Sequence, residues 1–168
     1  DVSHMGRLAV TGPDAASFLR SLVTYAITGL GVGEGHYTVV CQEDGGILDD
    51  VYVFRLASER FLMGVNSANA DKIRGWAQRH LAPSLRATME DRQMETVMLA
   101  LQGPEAIQEM ETALGISPRN FPALKNLAVL YQRAGFKHKA VESWERALRS
   151  APDDETRRGI KEHLMGLL

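Results

Sequence analysis

Two adjacent carboxylates, Asp49 and Asp50, stand in the run "GGILDDVYVF", residues 45 to 54, among residues that otherwise suit a buried strand. In an extended run the side chains alternate, so Ile47, Asp49, Val51 and Val53 share one face and Leu48, Asp50, Tyr52 and Phe54 the other. With both faces apolar, the pattern predicts a central strand covered on both sides. A carboxylate there costs several kcal/mol unless it is hydrogen-bonded, paired or protonated, and carboxylates held in such surroundings are common at functional sites. The alternative is that the pair lies three residues past Gly46 at the mouth of a hairpin, open to water. Two carboxylates also raise the question of a metal. The five histidines at 4, 36, 80, 138 and 163 show no ligand spacing and Cys41 is the single cysteine, so no metal is expected.

The elements that must hold these residues are drawn from 168 residues with 45% hydrophobic content, enough for one ordinary domain or two small ones. Nineteen basic and 21 acidic side chains leave a formal charge of −2, which supplies no field to gather nucleic acid or an anionic membrane surface. No apolar run approaches the ~18 residues of a membrane span. The lone cysteine, read as a small core residue, excludes an intrachain disulfide and suits a cytoplasmic location.

Residues 1–104 combine glycine-rich turns with short β-branched and aromatic runs. "GRLAVTG" reads as a strand, and "GPDAASFLRSLVTYAI" as a helix capped by Thr11 or Gly12, with Phe18, Leu19 and Leu22 inward. "YTVVCQ", the turn "EDGG" and "ILDDVYVFRL" form a hairpin around Asp44-Gly45. "RFLMGVN" is a further strand, "SANADKIRGWAQRHLA" a helix capped by Ser67 or Asn66, and "ETVMLALQG" a last strand. The order β-α-β-β-β-α-β predicts an α+β fold, an antiparallel ferredoxin-like sheet with two helices on one face.

Residues 105–168 carry Ala, Leu, Lys, Arg and Glu at helical spacing. Ala140, Trp144, Ala147 and Pro152, with Leu124, Leu127, Ala128 and Tyr131 upstream, match the skeleton of a tetratricopeptide unit of about 34 residues. One such step back lands on Ala106, Met110, Ala113 and Pro118. The terminal run "DDETRRGIKEHLMGLL" reads as a capping helix with Ile160, Leu164 and Leu167 on one face. The expectation is an all-α, tetratricopeptide-like helical hairpin segment with a cap, joined to the first domain near "LQGPEA". About three repeats normally make a stable solenoid, so this segment needs support from the sheet domain or from a second copy in a homodimer.

The segments "DVSHMGRLAVTGPDAASFLRSLVT", "GEGHYTVVCQEDGGILDDVYVFRL", "RFLMGVNSANADK" and "LALQGP" together resemble the N-terminal region of the glycine cleavage system T-protein family, the tetrahydrofolate-dependent aminomethyltransferases. The resemblance implies transfer of an aminomethyl group from the lipoyl arm of a partner H-protein to tetrahydrofolate, with release of ammonia. It also implies that the aspartate of "GGILDD" lies beside the reacting pterin nitrogen, which carries over to Asp49, with Asp50 as the second candidate. Met5, Tyr37 and Asn66 match positions that contact the pterin in relatives. Strand packing would account equally for Met5 and Tyr37, and a helix cap for Asn66.

Where relatives usually read "TND" the chain has Thr24, Tyr25 and Ala26. Family segments before "DVSHM" and after "QGP" are not matched, which leads to the expectation of an incomplete pocket with weak or absent tetrahydrofolate binding. A chimera is one explanation of the change in character after residue 104. The reading that follows is a noncatalytic adaptor that binds a protein or peptide partner through its helical segment. The alternative is a tetrahydrofolate-dependent aminomethyltransferase using Asp49.

Overall fold

The computed structural model describes residues 1–167 and divides into two compact units, Asp1–Ala100 and Leu101–Leu168. The first unit runs β1 (Gly6–Thr11), α1 (Ala15–Leu22), β2 (Gly35–Cys41), β3 (Ile47–Ala57), β4 (Arg60–Val65), α2 (Ala70–His80) and β5 (Thr88–Asp91). These strands form one sheet in the order β2-β3-β4-β1-β5, with every neighbouring pair antiparallel. The order of element types agrees with the sequence reading. The antiparallel sheet agrees with it as well: beside the extra edge strand β2, the order β3-β4-β1-β5 interleaves the strands joined through α1 with those joined through α2.

The core lies on one face of the sheet. Leu8 and Val10 of β1, Val51 and Val53 of β3, and Phe61, Met63 and Val65 of β4 pack against Phe18, Leu19 and Leu22 of α1 and Ile73 and Ala77 of α2. Helix α1 is shorter than expected. Val23 leaves it to bridge Val40, and the Thr24 amide donates to the Val39 carbonyl at 3.1 Å, so two β-branched residues join the sheet edge. Neither Thr11 nor Gly12 caps it; Asp14 holds the cap position and its carboxylate pairs with Arg86 at 3.1 Å. Gly12 has φ +118°, and a Cβ there would lie 2.2 Å from the Arg86 carbonyl oxygen.

The last strand is misplaced by the sequence pattern. Thr88–Asp91, not the apolar run after Glu95, takes the free edge of β1. Beyond it the Arg92 amide donates to the Arg7 carbonyl at 2.8 Å and the chain turns. The Arg7 guanidinium, 2% exposed, donates to Thr96 Oγ1 at 2.7 Å and the Thr96 carbonyl at 2.9 Å. This anchor draws the following residues off the sheet line, and Val97 and Leu99 stay exposed.

The second unit contains α3 (Ala106–Ile116), α4 (Phe121–Arg133), α5 (Lys137–Arg149) and α6 (Asp154–Leu167). Leu124, Leu127, Ala128, Tyr131, Ala140, Trp144 and Ala147 are buried together, with Ile160 and Leu164 from α6, as helical spacing predicts. The upstream copy of the skeleton is reproduced only in part: Ala106 is buried as Ala140 is and Met110 packs on the core as Trp144 does, whereas Ala113, the counterpart of the buried Ala147, is exposed. No described helix is long and apolar enough to cross a membrane.

Candidate functional site

Strand β3 carries the carboxylates. The hairpin before it closes through Asp44 Oδ1, which accepts from the Gly46 amide at 3.0 Å, and Gly45 turns with φ +89°. Val39 pairs with Asp50 and Val40 with Asp49, after which a register shift between Val40 and Cys41 releases the strand end. Ile47 is consequently 68% exposed although the alternation places it with Val51 and Val53. Cys41 is a free, half-buried residue on that edge and not the core residue expected.

The two aspartates face opposite sides of the sheet. Asp49, 7% exposed, lies on the helix-covered face with Val51 and Val53. Asp50 lies on the other face, half-buried, in line with Tyr52 and diagonal to Tyr37. That face is partly open, so β3 is not covered on both sides. Tyr37 is 57% and Tyr52 36% exposed, and the Tyr52 ring lies tilted against Phe54 with ring centroids 4.7 Å apart.

Asn66 ties the faces together. It follows Val65 at the end of β4, and its Nδ2 donates to Asp49 Oδ1, Asp50 Oδ1 and the Asp50 carbonyl, each at 3.1 Å. It makes no side-chain cap bond to the 3-10 turn Ser67–Asn69, which overturns the cap alternative. Asn69 Nδ2 donates to the same Asp49 Oδ1 at 2.9 Å. Lys72 Nζ donates to the Leu48 carbonyl at 2.7 Å, one residue before Asp49. Asp49 Oδ2 is buried with no hydrogen-bond partner.

Tyr37 enters the group through Asp50. Desolvation, then its hydrogen bond to the Asp50 carboxylate and the charges of Asp50 and Asp49, push its hydroxyl above the usual phenol range. Met5 immediately precedes β1, whose first residue, Gly6, pairs with Val65 at the end of β4. Its backbone carbonyl accepts from Arg7 Nη1 at 2.9 Å and its amide donates to the Val2 carbonyl at 3.0 Å, away from the carboxylates. Asp49, Asp50 and Asn66 thus form one hydrogen-bonded string, which Tyr37 neighbours through Asp50 and to which the bonds of Met5 do not run.

Sequence reasoning missed Asn69 and Lys72. The signal available was "NSAN", two carboxamides three residues apart at a helix entry, which reads as capping until the carboxylates beside it are known. Among the described residues no group of three His, Cys, Asp or Glu comes together to hold a metal. Chemically, the site offers a dry carboxylate with one oxygen fixed by two amides and the other unsatisfied, on the face of β3 opposite the exposed tyrosines.

The family model described as the GCVT N-terminal domain matches residues 1–136. An aminomethyltransferase of Oceanobacillus iheyensis is 40% identical over 146 residues, covering 85% of this chain and 38% of that protein. One from Halothermothrix orenii is 32% identical over 171 residues, covering 91% of this chain and 47% of that protein. The crystal structure of glycine cleavage system aminomethyltransferase T from Bartonella henselae superposes with a TM-score of 0.62 at 34% identity, over 67% of this chain and 30% of that one. The chain spans less than half the length of these curated relatives.

The expectation of a noncatalytic adaptor is overturned by these matches, whose relatives bear an enzyme's name. The family match also runs past residue 104 to residue 136 and gives no support to a tetratricopeptide segment or a chimera. The match of the family model over residues 1–136 and the solved relative at 34% identity assign this chain to the family of the GCVT N-terminal domain.

Proposed function

We propose that this chain supplies the carboxylate wall of a tetrahydrofolate site in an aminomethyltransferase, with Asp49 as the residue that meets the reacting nitrogen. The observation that carries the reading is Asp49 Oδ2, buried and without a partner. An unsatisfied buried acceptor is costly, and a ligand N–H relieves that cost. The residues fit such a ligand in one respect: a carboxylate oxygen without a partner, held at the end of the sheet by two amides on its twin, can accept a ring or side-chain amine.

When bound, tetrahydrofolate supplies the nitrogen that accepts the one-carbon unit. The chain's part is electrostatic and geometric. Asp49 accepts the N–H, orients the nitrogen, and stabilises positive charge near it from a position fixed in advance by the Asn66 and Asn69 amides. Asp50 is on the opposite face, bonded by Asn66, and shares that face with Tyr37 and Tyr52. This geometry favours Asp49 over Asp50 for the role. Met5 is proposed as an apolar flank at the same sheet end. The donor of the aminomethyl group, by the same reading, is a lipoyl arm on a partner H-protein.

The test is anaerobic calorimetry with tetrahydrofolate on the whole chain and on Asp49→Asn. Saturable binding that the substitution weakens at least tenfold is expected. Equal binding by both proteins, or none by the unsubstituted chain, would sink the proposal.

A further inference from the structure

Asn69 occupies the N-cap position of α2, where Asn is favoured because its side-chain oxygen can accept from the first free amides of the helix. It makes no such bond. Its Nδ2 instead reaches Asp49 Oδ1 at 2.9 Å, shorter than the 3.1 Å from Asn66 to the same oxygen. Two consecutive helical entries therefore leave their side-chain caps unmade, and both amides converge on one atom.

We infer that Asn69 is a positioning residue for Asp49, fixing the plane of its carboxyl group so that Oδ2 alone is presented to a ligand. The inference rests on the tetrahydrofolate reading. A single amide donor leaves a carboxyl group free to turn about its Cβ–Cγ bond, whereas two donors arriving from different points of the chain fix it. With both lone pairs of Oδ1 engaged, the site accepts one N–H donor and does not offer the two-oxygen edge that a guanidinium or aminopyrimidine pair would take. The selectivity is for a single amine N–H, and the backbone that enforces it is the start of α2, packed on the core through Ile73 and Ala77.

Two substitutions separate positioning from capping. Asn69→Ser keeps a good capping residue but removes the amide; Asn69→Gln keeps an amide on a longer arm and is a poor cap. Each is titrated anaerobically with tetrahydrofolate beside the unsubstituted chain, and the Asn66 side-chain amide signals are followed by 15N NMR. The expected result is affinity about tenfold weaker in Asn69→Ser, the loss of one charge-assisted hydrogen bond, with partial rescue in Asn69→Gln and a displaced Asn66 signal in the serine variant. Full affinity in Asn69→Ser with the Asn66 signal unmoved overturns the inference and leaves the tetrahydrofolate reading standing. Better binding by the serine than the glutamine variant assigns Asn69 to capping and likewise overturns it. Absence of binding by the unsubstituted chain overturns both.

Discussion

The Tyr37 hydroxyl is directed along the β2–β3 ladder to the Asp50 carboxylate, two pairs removed from its own register partner, Tyr52. Desolvation and then this carboxylate raise the phenol above its usual value of 10.0. A raised folded-state value means that the folded chain holds the proton more tightly than the unfolded one. The associated stability is complete below the ordinary phenol range and is lost as pH rises through the raised value. In a spectrophotometric titration of phenolate absorbance, Tyr37→Phe should remove a late-titrating tyrosine, and Asp50→Asn should bring that tyrosine down. A late phase that persists in Tyr37→Phe would assign it elsewhere.

Asn66 satisfies three acceptors on two aspartates. Asn66→Ala leaves those groups in part unpaired in a half-buried setting, with Asn69 still on Asp49. The expected loss is about 1 to 3 kcal/mol in denaturant unfolding. Asn66→Asp should lose more, because it sets a third carboxylate against two. A cap role would leave Asn66→Asp near neutral, so equal stability of that variant argues against the network.

Much of this arrangement is legible in sequence. The alternation in "GGILDDVYVF" gives opposite faces for Asp49 and Asp50, and Asp44-Gly45 gives the hairpin, because both depend on local periodicity and turn chemistry. The bulge that exposes Ile47 is not legible, since it arises from how β2 meets β3. Nor is the displacement of the last strand. "ETVMLALQG" has the better strand composition, yet "TMED" takes the edge because the buried Arg7 claims the oxygens of Gln93 and Thr96. Asn66 and Asn69 look like caps for the same reason: local sequence shows a helix entry and cannot show a carboxylate arriving from another strand.

Gly12 joins β1 to α1 with φ +118°, where a Cβ would meet the Arg86 carbonyl oxygen at 2.2 Å. The conformation and the contact both exclude a side chain. The Gly12 amide also donates to the Glu59 carbonyl at 2.9 Å, so the turn cannot shift freely. Gly12→Ala is expected to lose at least about 2 kcal/mol in chemical denaturation. An unchanged midpoint would mean that the segment around Arg86 moves aside at little cost.

In the helical unit, Tyr131 is buried at 4% exposure and its hydroxyl donates to the Glu111 carboxylate. Burial, then this bond and the charges of Glu111 and Glu142, push its ionisation up to about 12. Lys139 lies over the ring, 5.1 Å from its centroid. Relative to an unfolded phenol near 10 the folded form holds the proton more tightly, so stability from this group is intact at neutral pH. It declines from about pH 10 and is lost above about 12, by roughly 2 to 3 kcal/mol. Urea midpoints should therefore fall between pH 9 and 11.5, and Tyr131→Phe should flatten that slope while losing the bond to Glu111 at every pH. A slope that survives in Tyr131→Phe would place the alkaline sensitivity on another group and return Tyr131 to simple core packing beside Trp144.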